Sequence, residues 1–462
     1  MRKSLLLTLP AFLLLAPAAH PENAPYLFSG PLPSLLAPGA AAAANAAGLP
    51  FEIKITAGGQ KVEGSSFALT VPDAPKPFRL TLDGAAFAVG KLTAKATIGN
   101  SSGAALEGLR LDLVQATETY TKKDAEGKVT TETRAQKVAA EPLHFGDLDV
   151  NETSDALPLV ATGLAFGAET TQVVVRGVVS GLRYEKTVAG PTACGSGEID
   201  VDDQGNIYLA DICGQRIARL TPAGEISGFE LPDQTKGAAR DAVSGRLAAT
   251  YANYPEIRII GAEKQVLGTI GEAQGMDTWP DFLRFDAQGK LWVEASATIR
   301  RFSATGKLEQ RIDSIAGMDL DSVLSFDIAS DGTLWVVSAG ALWRRSADGK
   351  TGAHLVGPGL RPGELTAPVA PRAASDGSVW VIEASDATHG APERVSVFDR
   401  EGRLLRIFGR GARAALPTYP DAYHEAQLFL GSDLAFGPEN RVYIASQRPG
   451  ANGEYILVFR RF

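Results

Sequence analysis

The chain has 462 residues, 45% of them hydrophobic and 21% charged, enough for two or three domains with cores of their own. Acidic residues outnumber Lys and Arg by 53 to 45, giving a net charge of −8 and a pI near 5.4. That balance argues against general nucleic-acid affinity, which rests on clustered cations.

Residues 1–19 set Arg2 and Lys3 before the apolar run Leu5–Leu15 and the small residues Ala16, Ala18 and Ala19, the layout of a secretory signal peptide. Export is therefore expected, to the periplasm, the cell surface or the medium. The run is too short to span a bilayer, and no later stretch reaches the roughly 20 apolar residues of a spanning helix, so no transmembrane segment is expected. No Cys follows the small residues, which argues against a lipid anchor. Residues 20–49 are Pro- and Ala-rich and read as a linker.

From about residue 50 to 181 apolar residues alternate, as in Phe51, Ile53 and Ile55, then Phe78, Leu80 and Leu82, then Leu109, Leu111 and Leu113. Turns at Asn100–Gly103 and Ala125–Gly127 separate the runs, and about seven short strands predict a β-sandwich. The stretches KATIGNSSGAALEGLRLDLVQ, FGDLDVNETSDALPLVATG and TQVVVRGVVSG resemble the immunoglobulin-like modules of bacterial surface proteins. The tip near Lys122–Lys128 reads as a solvated turn.

Residues 182–462 repeat. Turn glycines stand at Gly205, Gly245, Gly289, Gly332 and Gly377, with Asn440 in the last copy, at spacings of 40, 44, 43, 45 and 63. Two positions on are the aliphatics Ile207, Leu247, Leu291, Leu334, Val379 and Val442, and three positions on are Tyr208, Ala248, Trp292, Trp335, Trp380 and Tyr443. An aliphatic followed by an aromatic predicts a strand buried on both faces, as when each sheet lies between two neighbours. In the first copy the four strands are placed at Ile199–Val201, Ile207–Ala210, Arg216–Leu220 and Ile226–Leu231. The last copy ends at Phe462 without an outer strand, and Leu182–Val188 (LRYEKTV) is expected to supply it, closing the array. The architecture predicted is all-β, a sandwich followed by a six-bladed β-propeller.

The segments IDVDDQGNIYLAD and LAFGPENRVYIAS resemble NHL repeats, and the six-unit array is similar to NHL and gluconolactonase-like propellers. The gluconolactonase resemblance implies inner-strand Glu, Asn and Asp around one divalent cation; no such set stands at the matched positions. None of His20, His144, His354, His389 and His424 falls on a predicted inner strand, and neither a G-x-S-x-G elbow nor a C-x-x-C pair occurs.

Three groups of residues remain as candidates. Asp200-x-Asp202-x-Gln204-Gly205 with Asp211 approaches a calcium loop, but similar turns recur without the other ligands, and no cofactor is expected, with calcium at this loop as the alternative. Five residues before each turn stand Asp200, Arg240, Arg284, Asp327, Arg372 and Ala435, a ring that is either a structural ion-pair network or, with three Arg against two Asp, a place for an anion. One rim gathers Tyr251, Tyr254, Trp279, Tyr419, Tyr423 and Phe429, with His389, His424 and the insertion Arg410–Gly431, as aromatic anchors or as plugs between blades.

Cys194 and Cys213 are the only cysteines. A turn centred between Asp203 and Gln204 makes facing residue numbers add up to about 407, so the two face each other and a disulfide is expected, the alternative being two buried thiols. The function expected is an exported, monomeric binding or scaffold protein that recognises a protein, peptide or glycan on its loop rim. The alternative is a lactone hydrolase or lyase with its site at the channel mouth.

Overall fold

The computed structural model describes residues 48–56, 61–167, 169–190, 196–212, 214–296, 298–320, 323–361, 363–384, 393–409, 431–447 and 454–462. The expected signal peptide and all but the end of the linker lie outside the described residues. The fold is almost entirely β-sheet, divided into several discrete sheets. No helix among the described residues is long and apolar enough to cross a membrane.

The N-terminal strands alternate as their sequence predicts: in Leu49–Thr56 the side chains of Phe51, Ile53 and Ile55 are buried, while Glu52 and Lys54 face water. A five-stranded sheet runs in the order Ser66–Leu69, Phe78–Ala88, Lys91–Gly99, Leu157–Thr162, Ala139–Ala140. Its Phe78, Leu80 and Leu82 join one apolar cluster with Ile53, Leu109, Leu111 and Val175 of the other N-terminal sheet. The hairpin Leu106–Lys123 with Val129–Gln136 carries its tip into solvent, as expected.

The expected boundary at residue 181 falls inside a single 20-residue strand, Thr170–Ala189. Its first half pairs with Leu49–Thr56 and Leu106–Lys123. Its second half, Leu182–Ala189, pairs with the C-terminal strand Glu454–Arg461, the partner expected for it. Gly181 and Phe462 exchange both backbone hydrogen bonds, at 3.1 and 3.0 Å, and Phe462 packs into the N-terminal cluster. A Cβ on Gly181 would come within 2.8 Å of the Phe462 ring, so a side chain there would have to push that ring aside. The two regions therefore share a strand instead of meeting across a linker.

Five four-stranded antiparallel sheets follow in chain order. Sheet 1 is Ser196–Val201, Ile207–Asp211, Arg216–Leu220 and Ile226–Glu230. Sheet 2 is Thr235–Arg240, Leu247–Tyr251, Ile257–Ile260 and Val266–Ile270. Sheet 3 is Pro280–Phe285, Leu291–Ala295, Ile299–Phe302 and Leu308–Ile312. Sheet 4 is Val323–Ile328, Leu334–Ser338, Ala341–Arg345 and Gly352–Val356. Sheet 5 is Pro368–Ala373, Val379–Glu383, Arg394–Phe398 and Leu404–Phe408. A sixth set, Asp433–Phe436, Arg441–Gln447 and Glu454–Arg461, is completed by Leu182–Ala189. The first strands touch in sequence from sheet 1 to the sixth set, and Asp433–Phe436 returns against Ser196–Val201.

All six aligned turn positions adopt positive φ, from 60° at Asn440 to 85° at Gly377, which explains the Gly or Asn found there. The aliphatics two positions on are all buried, as are Trp292, Trp335, Trp380 and Tyr443. The polar tips of two of these aromatics explain the acid at their turns: Trp292 Nε1 donates to Asp286 at 2.9 Å and the Tyr208 hydroxyl to Asp202 at 3.1 Å. Each first strand of sheets 1–5 carries one register irregularity near its start.

Candidate functional site

Where the first strands converge, charged side chains meet out of water. Arg284 of sheet 3 donates Nη1 to Glu198 of sheet 1 and Nη2 to Asp433 of the sixth set at 3.0 Å, with Asp327 of sheet 4 at 3.5 Å from Nε. Arg372 of sheet 5 donates Nε and Nη2 to the two oxygens of Asp433, at 3.1 and 2.8 Å, and Nη2 also reaches the carbonyl of Ile199. Backbone N–H groups complete the set: Leu283 to Glu198 at 3.0 Å, Ile199 to Asp433 at 3.2 Å and Ala373 to Asp327 at 2.7 Å.

Three of the ring residues expected from sequence, Arg284, Asp327 and Arg372, thus come together, and two do not. Asp200 accepts the backbone N–H of Arg240 at 3.0 Å, clasping sheet 2 to sheet 1. The Arg240 guanidinium lies over the Tyr208 ring, 5.7 Å from its centre, and is not part of the cluster's ion pairs. The expected surplus of positive charge is overturned, because Glu198 and Asp433 bring the count in the cluster to three carboxylates against two guanidinium groups. Both stand seven residues before their turns, one strand period from the residues at five, and so face the same way. Period two was the signal that could have found them.

Burial dominates the titration of this cluster. It raises Glu198 to about 8, with Asp433 adding to the rise and Arg284 and the Leu283 N–H opposing it. Burial also lifts Asp327 against the pull of Arg372 and Arg284. For Arg284 burial disfavours the cation, but Glu198, Asp433 and Asp327 more than offset it and the pKa is raised. The Glu198, Arg284 and Asp433 side chains are each at most 5% exposed. The arrangement is built to tie sheets together, with its acceptors filled by the protein's own donors.

The calcium-like residues are occupied as well. Asp202 accepts the N–H groups of Gln204 and Asn206, both at 2.9 Å, and Asp211 binds the Gly214 N–H and Arg216. Among the described residues no three or more His, Cys, Asp or Glu side chains gather to hold a metal.

At the opposite end of the strands from the turn glycines, Tyr254 is 51% exposed and Trp279 46%. Tyr254 follows the second strand of sheet 2 and Trp279 precedes the first strand of sheet 3, so adjacent sheets present both at one end. Tyr251, expected beside them, is instead buried at 1%: it closes the second strand of sheet 2, in which every residue is buried. Its ring lies beneath the Arg258 guanidinium at 5.2 Å and meets Tyr254 edge-on at 6.4 Å, so it supports Tyr254. Near these aromatics in sequence, Asp233 is held by Asn253 at 2.9 and 2.8 Å, Asp277 by Arg300 at 2.6 Å, and Asp281 by Lys236. Tyr419, Tyr423, Phe429, His389, His424, Cys194 and Cys213 lie outside the described residues, as does nearly all of the insertion Arg410–Gly431.

No family model matches the chain, and no curated protein does. Among solved structures it is similar to a virginiamycin B lyase from Staphylococcus aureus, 14% identical over 61% of this chain and 99% of that one, with a TM-score of 0.43. A gluconolactonase from Xanthomonas campestris is 16% identical over 61% and 89% of the two chains, with a TM-score of 0.42. Regucalcin, a calcium-binding protein from Agrobacterium tumefaciens, is 15% identical over 59% and 93%, with a TM-score of 0.42.

Proposed function

We propose that this is an exported binding protein in which an immunoglobulin-like sandwich, residues 50–181, precedes a closed six-bladed, NHL-like propeller, residues 182–462. In this reading the loop rim recognises a protein, peptide or glycan, and a Cys194–Cys213 bridge pins the entry to the first blade. Support for closure comes from the cyclic order of the first strands and from the pairing of Leu182–Ala189 with the last strand.

The observation that carries the binding role is the contrast between centre and rim. The central carboxylates are spent on Arg284 and Arg372, whereas Trp279 and Tyr254 stand out of the surface on adjacent loops, Tyr254 over its buried support Tyr251. Exposed aromatics on a rigid base are favoured anchors. Screening the full chain against peptide and glycan arrays tests this, with Trp279→Ala and Tyr254→Ala each weakening any hit by more than about 1 kcal/mol. Equal binding by the folded double variant removes the rim from the reading.

A second reading, a lactone hydrolase or lyase acting at the channel mouth, is favoured by Glu198, a central carboxyl raised to about 8 and so able to exchange a proton near neutrality. Lactone turnover lost in Glu198→Gln, with the fold retained, would select it.

A further inference from the structure

We propose that a cavity of about 120 Å³ at the turn end of the seam between sheet 1 and the sixth set binds a small organic monocarboxylate. This site is at the opposite end of the strands from Trp279 and Tyr254 and does not depend on the rim reading.

Its apolar wall is made by Val188, Ile207, Pro222 and Val458, contributed by both sides of the seam. Lys186 and Tyr443 supply the polar side. Lys186 lies two residues from Val188 on the same strand face, donates to the Pro222 carbonyl at 3.2 Å, and makes no ion pair among the described residues. The Tyr443 hydroxyl looks toward Gly205, 3.5 Å from where a Cβ there would stand. Burial raises its pKa, so the phenol stays a donor at neutral pH.

Gly205 keeps the space open. Its φ is +79°, and a side chain would sit 3.3 Å from the Pro222 ring as well as against Tyr443. The turn that requires glycine for its backbone thus also leaves the cavity unfilled.

Charge decides the ligand class. Arg441 also lines the cavity, but its guanidinium is committed to Glu185 at 2.7 Å and Glu439 at 3.0 Å. One ammonium that has no carboxylate partner among the described residues and one phenol donor match a single carboxylate, while those neighbouring acids disfavour a dianion. The apolar wall then takes a short alkyl chain, and butyrate is the probe of choice.

Calorimetric titration of the full chain with butyrate, butylamine and inorganic phosphate tests the assignment. Saturable millimolar binding of butyrate is expected, with a raised unfolding temperature because the ligand bridges the seam. Lys186→Gln should weaken butyrate about tenfold or more, and Val188→Phe should abolish binding by filling the space. If Val188→Phe does not fold, Lys186→Gln and butylamine still decide. The proposal is overturned by absence of saturable butyrate binding, by undiminished binding in folded Lys186→Gln, or by butylamine or phosphate binding as tightly.

Discussion

Arg372 and Asp433 meet through two parallel hydrogen bonds, Nε to Oδ1 at 3.1 Å and Nη2 to Oδ2 at 2.8 Å, with both side chains buried. The same carboxylate takes Arg284 Nη2 and the Ile199 N–H, so one side chain ties strands of sheets 1, 3, 5 and the sixth set. Sheets that share no backbone ladder at their inner ends are held there by charge.

Asp433→Ala should therefore lower stability by about 3–5 kcal/mol, since it removes a buried carboxylate that Arg284 and Arg372 share and leaves their donors without that partner. Urea unfolding of the purified protein measures it. A loss under about 1 kcal/mol would mean that water or a bound ion replaces the carboxylate, and the cluster would not be the tie described.

The pH profile should reveal two buried groups with opposite signs. Glu198 is raised to about 8 by burial, so between its ordinary 4.5 and 8 the folded state holds a proton that the unfolded state has lost. Its contribution is complete below 4.5 and disappears as pH rises through 8. His144 is lowered to about 3 by burial, with Arg110 and Arg406 adding to the effect, so its contribution is complete above 6.5 and is lost as pH falls toward 3. Glu198→Gln should flatten the alkaline side of the stability curve and His144→Gln the acid side. Unfolding midpoints from pH 4 to 9 that keep the wild-type slope in either variant would contradict the assignment.

How much of this was readable beforehand depended on whether the signal was local. Gly205, Trp292 and Leu334 announced turn and strand because backbone geometry and burial act on each repeat separately. The strands of sheet 1 fell within three residues of their expected ends for the same reason. Arg284, Asp327 and Arg372 were found by alignment to the turn, but Glu198 and Asp433 were not, because only packing among several sheets shows that two strand levels share one interior. Tyr251 misled because its position in the repeat marks a strand end, where exposure is decided by the neighbouring loop. No break in the chain marks residue 181, because TTQVVVRGVVSGLRYEKTVA is one uninterrupted strand pattern, and composition does not say which sheet each half joins.

That shared strand gives a third prediction. A chain beginning at Leu182 retains the partner of Glu454–Arg461, whereas one beginning at Gly190 leaves that strand with a bare edge. The shorter chain should be less soluble and unfold at a lower temperature, by light scattering and calorimetry. Equal stability and a monomeric state for both would show that the pairing contributes nothing to stability.

The last prediction concerns Cys194 and Cys213, which should be joined. Within the first hairpin of sheet 1 the register differs from the one expected: Val201 faces Ile207 and Asp200 faces Tyr208, so facing numbers add up to 408 and the turn is centred one half-residue later. The irregularity between Ser196 and Ile199 then removes one unit, and Ser196 faces Asp211, whose numbers add up to 407. Asp211 and Arg216 then pair across the next turn, so the ladder ends there; Cys194 and Cys213 lie outside the described residues, and their pairing is expected from the sequence numbers alone. Cysteines facing each other in a hairpin lie within bridging reach, and the export proposed for the chain would place them in the oxidising conditions in which a bridge persists. Closing so short a loop contributes up to about 3 kcal/mol. Mass spectrometry after alkylation in denaturant without reductant should find no labelled cysteine, and two labels would show free thiols. Cys213→Ala should then lower the unfolding temperature of the oxidised protein to that of the reduced one, since both have lost the same constraint.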